Sequence, residues 1–191
     1  MKITTTQYLK IMQHLTENKD VETEKLFDLV GIDIRDLTIK EIEEKSKYLS
    51  ELLMNKPIID YRFLVYKGKL YGFEPKLDSL SFGQLIDLES LKIDIWNNMS
   101  NILKVFYRPV NKLSFWNKVK VLSYFKYGKK LPTKLNYSIE KYTGQEENFD
   151  LDLIPIELIQ SFTFFFSIFY LELQKNILQS SLEEKVKEMG V

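Results

Sequence analysis

Residues 81–109 read SFGQLIDLESLKIDIWNNMSNILKVFYRP, and how this stretch folds decides the rest of the chain. Ser81 is a residue type that caps a helix by accepting a hydrogen bond from its first turn. Behind it Gly83 and Gln84 occupy that turn, and Leu85, Ile86, Leu88 and Leu91 fall on the side that can be buried. A second apolar pattern, DIWNNMSNILKVFY, runs to Pro109, which has no amide hydrogen to give to a continuing helix. Arg108 stands at that end, where a cation opposes the negative pole of the helix dipole. The block predicts a pair of helices, with Asp87 and Glu89 turned to water or towards Arg108.

Towards the N-terminus, three further helices are predicted. Thr4–Leu15 is amphipathic, with Tyr8, Ile11, Met12 and Leu15 on one side. Val21–Val30 is shorter and is closed by Gly31. A third begins at Asp36 or Thr38, buries Ile39, Ile42, Leu49, Leu52 and Leu53, and is ended by Pro57. The period then changes to two. IIDYRFLVY and KLYGF flank Lys67-Gly68 and read as one β-hairpin at about residues 58–73. A lone ribbon is marginal in water, so it is expected to pack on the helices or on a partner's edge.

Towards the C-terminus, Leu113–Tyr127 is predicted helical and is ended by Gly128, and Asn136–Asp150 is the best loop in the chain. Pro155 suits the first turn of a final long helix that carries PIELIQSFTFFFSIFYLEL. Its apolar stretch, Leu158–Leu171, is 14 residues, short of the roughly 20 that a bilayer span needs. The predicted fold is therefore α+β and predominantly α-helical. It comprises a helical domain over 1–135 with the hairpin inserted, an acidic loop over 136–153, and a C-terminal helix over 154–191 packing on the same domain.

Composition bounds what such a fold can do. The 191 residues are 45% hydrophobic, 14% aromatic and 28% charged, with a net charge of zero, which is globular rather than disordered. There is no cysteine, which excludes disulfides, thiol nucleophiles and thiolate-held metals. There is no alanine either, and only Arg35, Arg62 and Arg108 are arginine against 24 lysines, the mark of an A/T-rich coding sequence. The start, MKITTTQYLKIMQHL, lacks the apolar run of a signal peptide, so a cytosolic location is expected. Charge is unevenly placed: residues 95–139 hold nine basic residues and no acidic one.

Catalytic chemistry finds little to work with. His14 is the sole histidine, and a catalytic imidazole needs an orienting partner. The glycines are scattered rather than gathered into a phosphate-binding loop, and the acidic pairs Glu146/Glu147 and Asp150/Asp152 read as solvated surface. No catalytic residue, cofactor or metal site is expected. In the acid-free stretch, basic residues that include Lys118, Lys120, Lys126, Lys129 and Lys130 alternate with aromatic rings, a pairing that can hold a phosphate backbone and stack on bases. Against that reading, rings on helices are expected to face the core while the lysines face water.

The succession FGQLIDLESL, ILKVFYRPV and PIELIQSFTFFFSIFYLEL resembles small structural and assembly proteins of tailed bacteriophages, of the tail-assembly-chaperone or virion type and including those of crAss-like phages. The leading pattern LFDLVGIDIRDLTIKEIEEKSKYLSEL is similar to the first helices of that group. The resemblance implies a non-enzymatic head or tail component, cargo protein or tail assembly chaperone. Such a protein contacts other virion or assembly proteins, or a second copy of itself, in the host cytoplasm during assembly or within the virion. Carried onto this chain, the interaction positions are Phe82, Gly83, Gln84, Asp87, Phe106, Tyr107, Arg108 and Pro109, with Phe164, Phe165 and Phe166 in the last helix. The segment LQSSLEEKVKEMG matches nothing in the resemblance. The alternative class is a nucleic-acid-associated protein using 95–139.

Overall fold

The computed structural model describes residues 2–18, 22–54, 60–74, 80–128, 130–132, 135–169 and 171. Helices α1 (Thr5–Glu17), α2 (Thr23–Leu29) and α3 (Ile39–Met54) lead into strands β1 (Phe63–Tyr66) and β2 (Lys69–Phe73). Helices α4 (Phe82–Leu91) and α5 (Met99–Phe106) follow, then β3 (Tyr107–Leu113), α6 (Phe115–Tyr127) and β4 (Tyr137–Ile139). A last helix, α7, covers 156–169. The predicted α+β, mainly helical class is the observed one. The end of α3 at Pro57, and everything predicted beyond 171, lie outside the described residues.

The helix starts follow the cap chemistry in the sequence. Thr4 and Ser81 each accept from the amide three residues on while Gln7 and Gln84 reach back to the cap's own amide, so α1 and α4 both begin with a reciprocal capping box. Gly31 and Gly128 close α2 and α6 at φ +77° and +64°, a left-handed conformation that glycine adopts without a Cβ penalty.

The sheet corrects the expectation of a single hairpin. The β1–β2 pair is one half of a four-stranded antiparallel sheet in the order β1-β2-β3-β4. Tyr71, Gly72 and Phe73 of β2 face Pro109, Arg108 and Tyr107 of β3, and Val110 of β3 faces Ile139 of β4. Pro109 therefore does not stop the second helix directly. α5 ends at Phe106, and the chain passes without a loop into an extended Tyr107 at φ −107°, ψ 122°. The physical reason is that a residue preceding proline is pushed out of the helical region into extended geometry, and Arg108 is that residue. Once extended, Pro109 still offers its carbonyl, which accepts from the Glu140 amide at 3.0 Å.

β4 lies in what composition marked as a loop. Its side chains lean over β3 onto β2, where Gly72 leaves room for them. A Cβ on Gly72 would stand 2.9 Å from both Ile139 Cγ2 and Tyr137 Cε2 and 3.0 Å from Val110 Cγ2. Beyond β4 the chain is fastened rather than loose. Phe149 is buried edge-on against Tyr66 and Tyr71, with ring centroids 5.0 and 5.2 Å away. The Asp150 amide donates to the Tyr66 hydroxyl at 2.8 Å, and the Ser100 hydroxyl donates to the Phe149 carbonyl at 2.7 Å.

The core is aromatic and is formed where α5 and α7 cover the sheet. Phe73 stacks on Phe106 at 5.3 Å, and Phe165 meets Phe73 edge-on at 4.8 Å and lies flat on Tyr61 at 5.1 Å. Phe162 and Phe166 reach Phe106 from the same helix. α1 joins through Thr5, whose hydroxyl donates to the Ile154 carbonyl at 2.5 Å, and α3 through Gln160, which donates to the Leu52 carbonyl at 2.7 Å. Each buried polar group at these seams has a partner, as a low-dielectric interior requires.

Candidate functional site

The 81–109 block folds around a buried polar knot. Arg108 is only 3% exposed. Its Nε donates to the Glu140 carbonyl at 2.8 Å, one terminal nitrogen donates to the Val105 carbonyl at 2.5 Å, and the other is paired with the Glu74 carboxylate. Gln84, also buried, donates to the same Val105 carbonyl at 3.2 Å while its own oxygen accepts from the Ser81 amide at 3.0 Å. Val105 lies in the last turn of α5, so Arg108 meets the negative pole of that helix as its position in the sequence predicts. The Tyr142 ring lies 5.8 Å from the guanidinium, and the Tyr142 hydroxyl donates to Asp87.

This arrangement is a fastening. The carboxylates, carbonyls and cation are directed at one another, and burial leaves Arg108 no face for a ligand. Tyr142 shows the same character: its burial, and then the hydrogen bond to Asp87, push its phenol above the ordinary tyrosine range. Tyr107, wholly buried and donating to the Tyr61 carbonyl, is pushed well above that range by burial. Gln84, Phe106, Tyr107 and Arg108 are all buried, and so is Phe166. An intermolecular surface therefore cannot include their side chains. The reason is that the same apolar and cationic residues that suit an interface are used first by the core of the chain itself.

The remaining positions divide. Phe82 and Gly83 are exposed at the start of α4, Asp87 is half-buried under Tyr142, and Pro109 and Phe165 are half-buried. Phe164 is 67% exposed on the outer side of α7, and Ile168 and Leu171 continue its exposed stripe at spacings of four and three. Lys118, Lys120, Lys126 and Lys130 are exposed, with Lys126 lying 5.2 Å from the Tyr127 ring; Lys129 lies outside the described residues.

The orientation of α6 departs from the expectation that its rings face inward. Only Val121 is buried, and Tyr124 is tied inward by accepting from the Asp60 amide at 2.7 Å. Phe115 and Trp116 are 71% and 72% exposed, and Val119 and Leu122 are exposed beside them. Sequence reasoning missed this face because apolar residues occur all round α6, so no period distinguishes its inner side from its outer one. It also missed Glu74 and Glu140, the partners of Arg108. They are 34 and 32 residues away, and only the β2–β3 and β3–β4 pairings bring them close.

His14 is paired locally, its Nδ1 lying 3.0 Å from the Asn18 side-chain amide. Among the described residues no group of three or more His, Asp or Glu side chains is placed to hold a metal ion. Also among the described residues, no helix is long and apolar enough to cross a membrane. No protein-family model, curated protein or solved structure matches this chain.

Proposed function

We propose that this chain is a non-catalytic assembly protein of a tailed bacteriophage, a virion component or tail assembly chaperone that works by protein–protein contact. The observation that carries the reading is that, beyond the exposed Glu157 of its first turn, α7 is apolar on both sides from Phe162 onward. Its inner side, Leu158, Ile159, Phe162 and Phe166, is buried in the core. Its outer side presents Phe164, Ile168 and Leu171. The hydroxyls of Thr163 and Ser167 are turned back onto the helix, donating to the carbonyls of Ile159 and Thr163 at 2.8 and 2.9 Å. A helix stretch with apolar residues on its outward as well as its inward side normally belongs inside protein, so the outer stripe suits coverage by a partner.

Exposed Phe82 and Gly83 at the start of α4 supply a second contact consistent with the phage resemblance. A nucleic-acid role for 95–139 has less support. On α6 the exposed rings Phe115 and Trp116 are separated from Phe125 and Tyr127 by Val119 and Leu122, which offer no surface on which a base can stack.

The test combines sedimentation of the full-length protein over a range of concentrations with co-purification against the head and tail proteins encoded beside its gene. Phe164→Ser with Ile168→Ser should abolish the complex while changing stability by no more than about 0.5 kcal/mol. Phe162→Ala, about half a turn from Phe164 on the buried side, should cost about 3–5 kcal/mol. A chain that stays monomeric throughout and binds no virion protein overturns the reading.

A further inference from the structure

The outer face of α6 is a different surface from the α7 stripe and has a different chemistry. Set out at about 100° per residue, Phe115, Val119 and Leu122 fall within roughly 60° of one another, with Trp116 about 100° from Phe115 on the same outward side. These four side chains are exposed on a single helix that the fold anchors mainly through Val121 and Tyr124. Lys118 and Lys120 project to either side of them, and Lys126 lies one turn beyond Leu122. No acidic residue occurs between positions 95 and 139.

At the root of the same helix is a cleft of about 350 Å³ lined by Lys69 and Lys118 over Leu70 and Val110, with no carboxylate in its lining. An apolar ridge, cations along its borders and a cationic cleft at its base form a gradient from greasy to positive over one helix. A second copy of this chain is a poor occupant, because it would bring the same lysines together. A phosphate backbone alone would leave Val119 and Leu122 facing water.

The geometry points to an anionic lipid surface as the occupant. α6 lies in the membrane interface with Phe115, Trp116, Val119 and Leu122 entering the boundary between headgroups and acyl chains. Its lysines remain at headgroup level, with their stems along the helix. The cleft between Lys69 and Lys118 receives a lipid phosphate. This contact is peripheral, in keeping with the absence, among the described residues, of a helix long and apolar enough to cross a membrane, and it is independent of the α7 reading.

Trp116 is its own reporter. The other tryptophan, Trp96, donates to the Thr16 hydroxyl at 3.1 Å, and Trp96→Phe leaves Trp116 as the sole indole. The full-length Trp96→Phe protein is mixed with vesicles of pure phosphatidylcholine, or of phosphatidylcholine with phosphatidylglycerol, and followed by fluorescence and co-sedimentation. A blue shift and binding with the anionic vesicles only are expected. Phe115→Ser and Leu122→Ser should each weaken binding by about tenfold, which corresponds to ~1.4 kcal/mol of lost apolar burial, with an unchanged melting curve. Lys118→Glu with Lys120→Glu should abolish it.

Absence of binding to both vesicles overturns the proposal. So does binding that is indifferent to Phe115→Ser and Leu122→Ser, since that is adsorption by charge alone. Binding to a single-stranded oligonucleotide that exceeds vesicle binding and is lost with Lys118→Glu and Lys120→Glu overturns it in favour of nucleic acid.

Discussion

Replacing Arg108 with methionine tests the reading of the 81–109 block directly. The substitution keeps an unbranched apolar stem and removes the guanidinium, which is 3% exposed. Three acceptors lose one donor each: the Glu140 carbonyl at 2.8 Å, the Val105 carbonyl at 2.5 Å and the Glu74 carboxylate. Glu74 is only 13% exposed at its side chain, so its charge loses its nearest cation in a place water hardly reaches. Removing one member of a buried ion pair costs about 3–5 kcal/mol, and Val105 retains the Gln84 bond, which favours the lower part of that range.

Urea unfolding followed by both circular dichroism and fluorescence gives the measurement, with the slope against denaturant checked for constancy. Arg108→Met combined with Glu74→Gln should recover roughly half of the loss, because the carboxylate that lost the guanidinium is then neutral; the implied coupling is about 2 kcal/mol. Arg108→Lys should fall between the extremes, since one ammonium cannot match a planar fork directed at three acceptors. If Arg108→Met costs less than about 1 kcal/mol at constant slope, or if Glu74→Gln brings no recovery, the knot is not a fastening and the reasoning fails.

Two further outcomes follow from the fold. Gly72→Ala places a methyl against Ile139, Tyr137 and Val110 and should cost about 1–3 kcal/mol by overpacking, with amide exchange in β4 rising before that in β1; an unchanged midpoint would refute the close approach. Burial holds the Tyr107 and Tyr142 phenols above their ordinary value of 10.0 and pushes Tyr137 up to about 12. The neutral form is the one the fold accepts, so the stability they contribute is complete below pH 10 and falls as pH rises from 10 towards about 12. Denaturation midpoints at stepped alkaline pH, with tyrosinate absorbance recorded in parallel, should fall in that window, and Tyr137→Phe should flatten part of the fall; midpoints flat across it would contradict the assignment.

The elements legible in the sequence are those governed by local chemistry. The cap at Ser81, the closing glycines Gly31 and Gly128, and the period of two around Lys67-Gly68 each act within a few residues, and the corresponding elements are present. What was not legible depends on partners far along the chain. β3 and β4 contain Pro109, Asn111 and Lys112 in one and only three residues in the other, so neither carries a strand pattern of its own; β3 exists because β2 offers it an edge, and β4 because β3 does. Arg108 could be read as a helix-end cation, and it is one, but its burial required Glu74 and Glu140 to arrive through sheet pairing. The two candidate surfaces divide in the same way. The excess of aromatic residues in α7 was visible from composition, whereas the outward face of α6 was not, because its apolar residues surround the helix.

The position of the Arg108–Glu74 pair gives the fold a modular character. The chain leaves β2 at Glu74 and re-enters the sheet at Tyr107, and the Glu74 amide donates to the Phe106 carbonyl at 2.8 Å. The ion pair thus stands across the mouth of an excursion that contains α4 and α5, between two strands that are neighbours in the sheet. Such a mouth holds the two ends together. Extra residues in the turn around Lys92–Asn98 would add only about 0.6 kcal/mol for each doubling of loop length, without moving the register of β2 on β3. Because α5 inside the excursion is itself part of the core, length variation among descendants of this chain is expected to accumulate in that turn and not in the helices beside it.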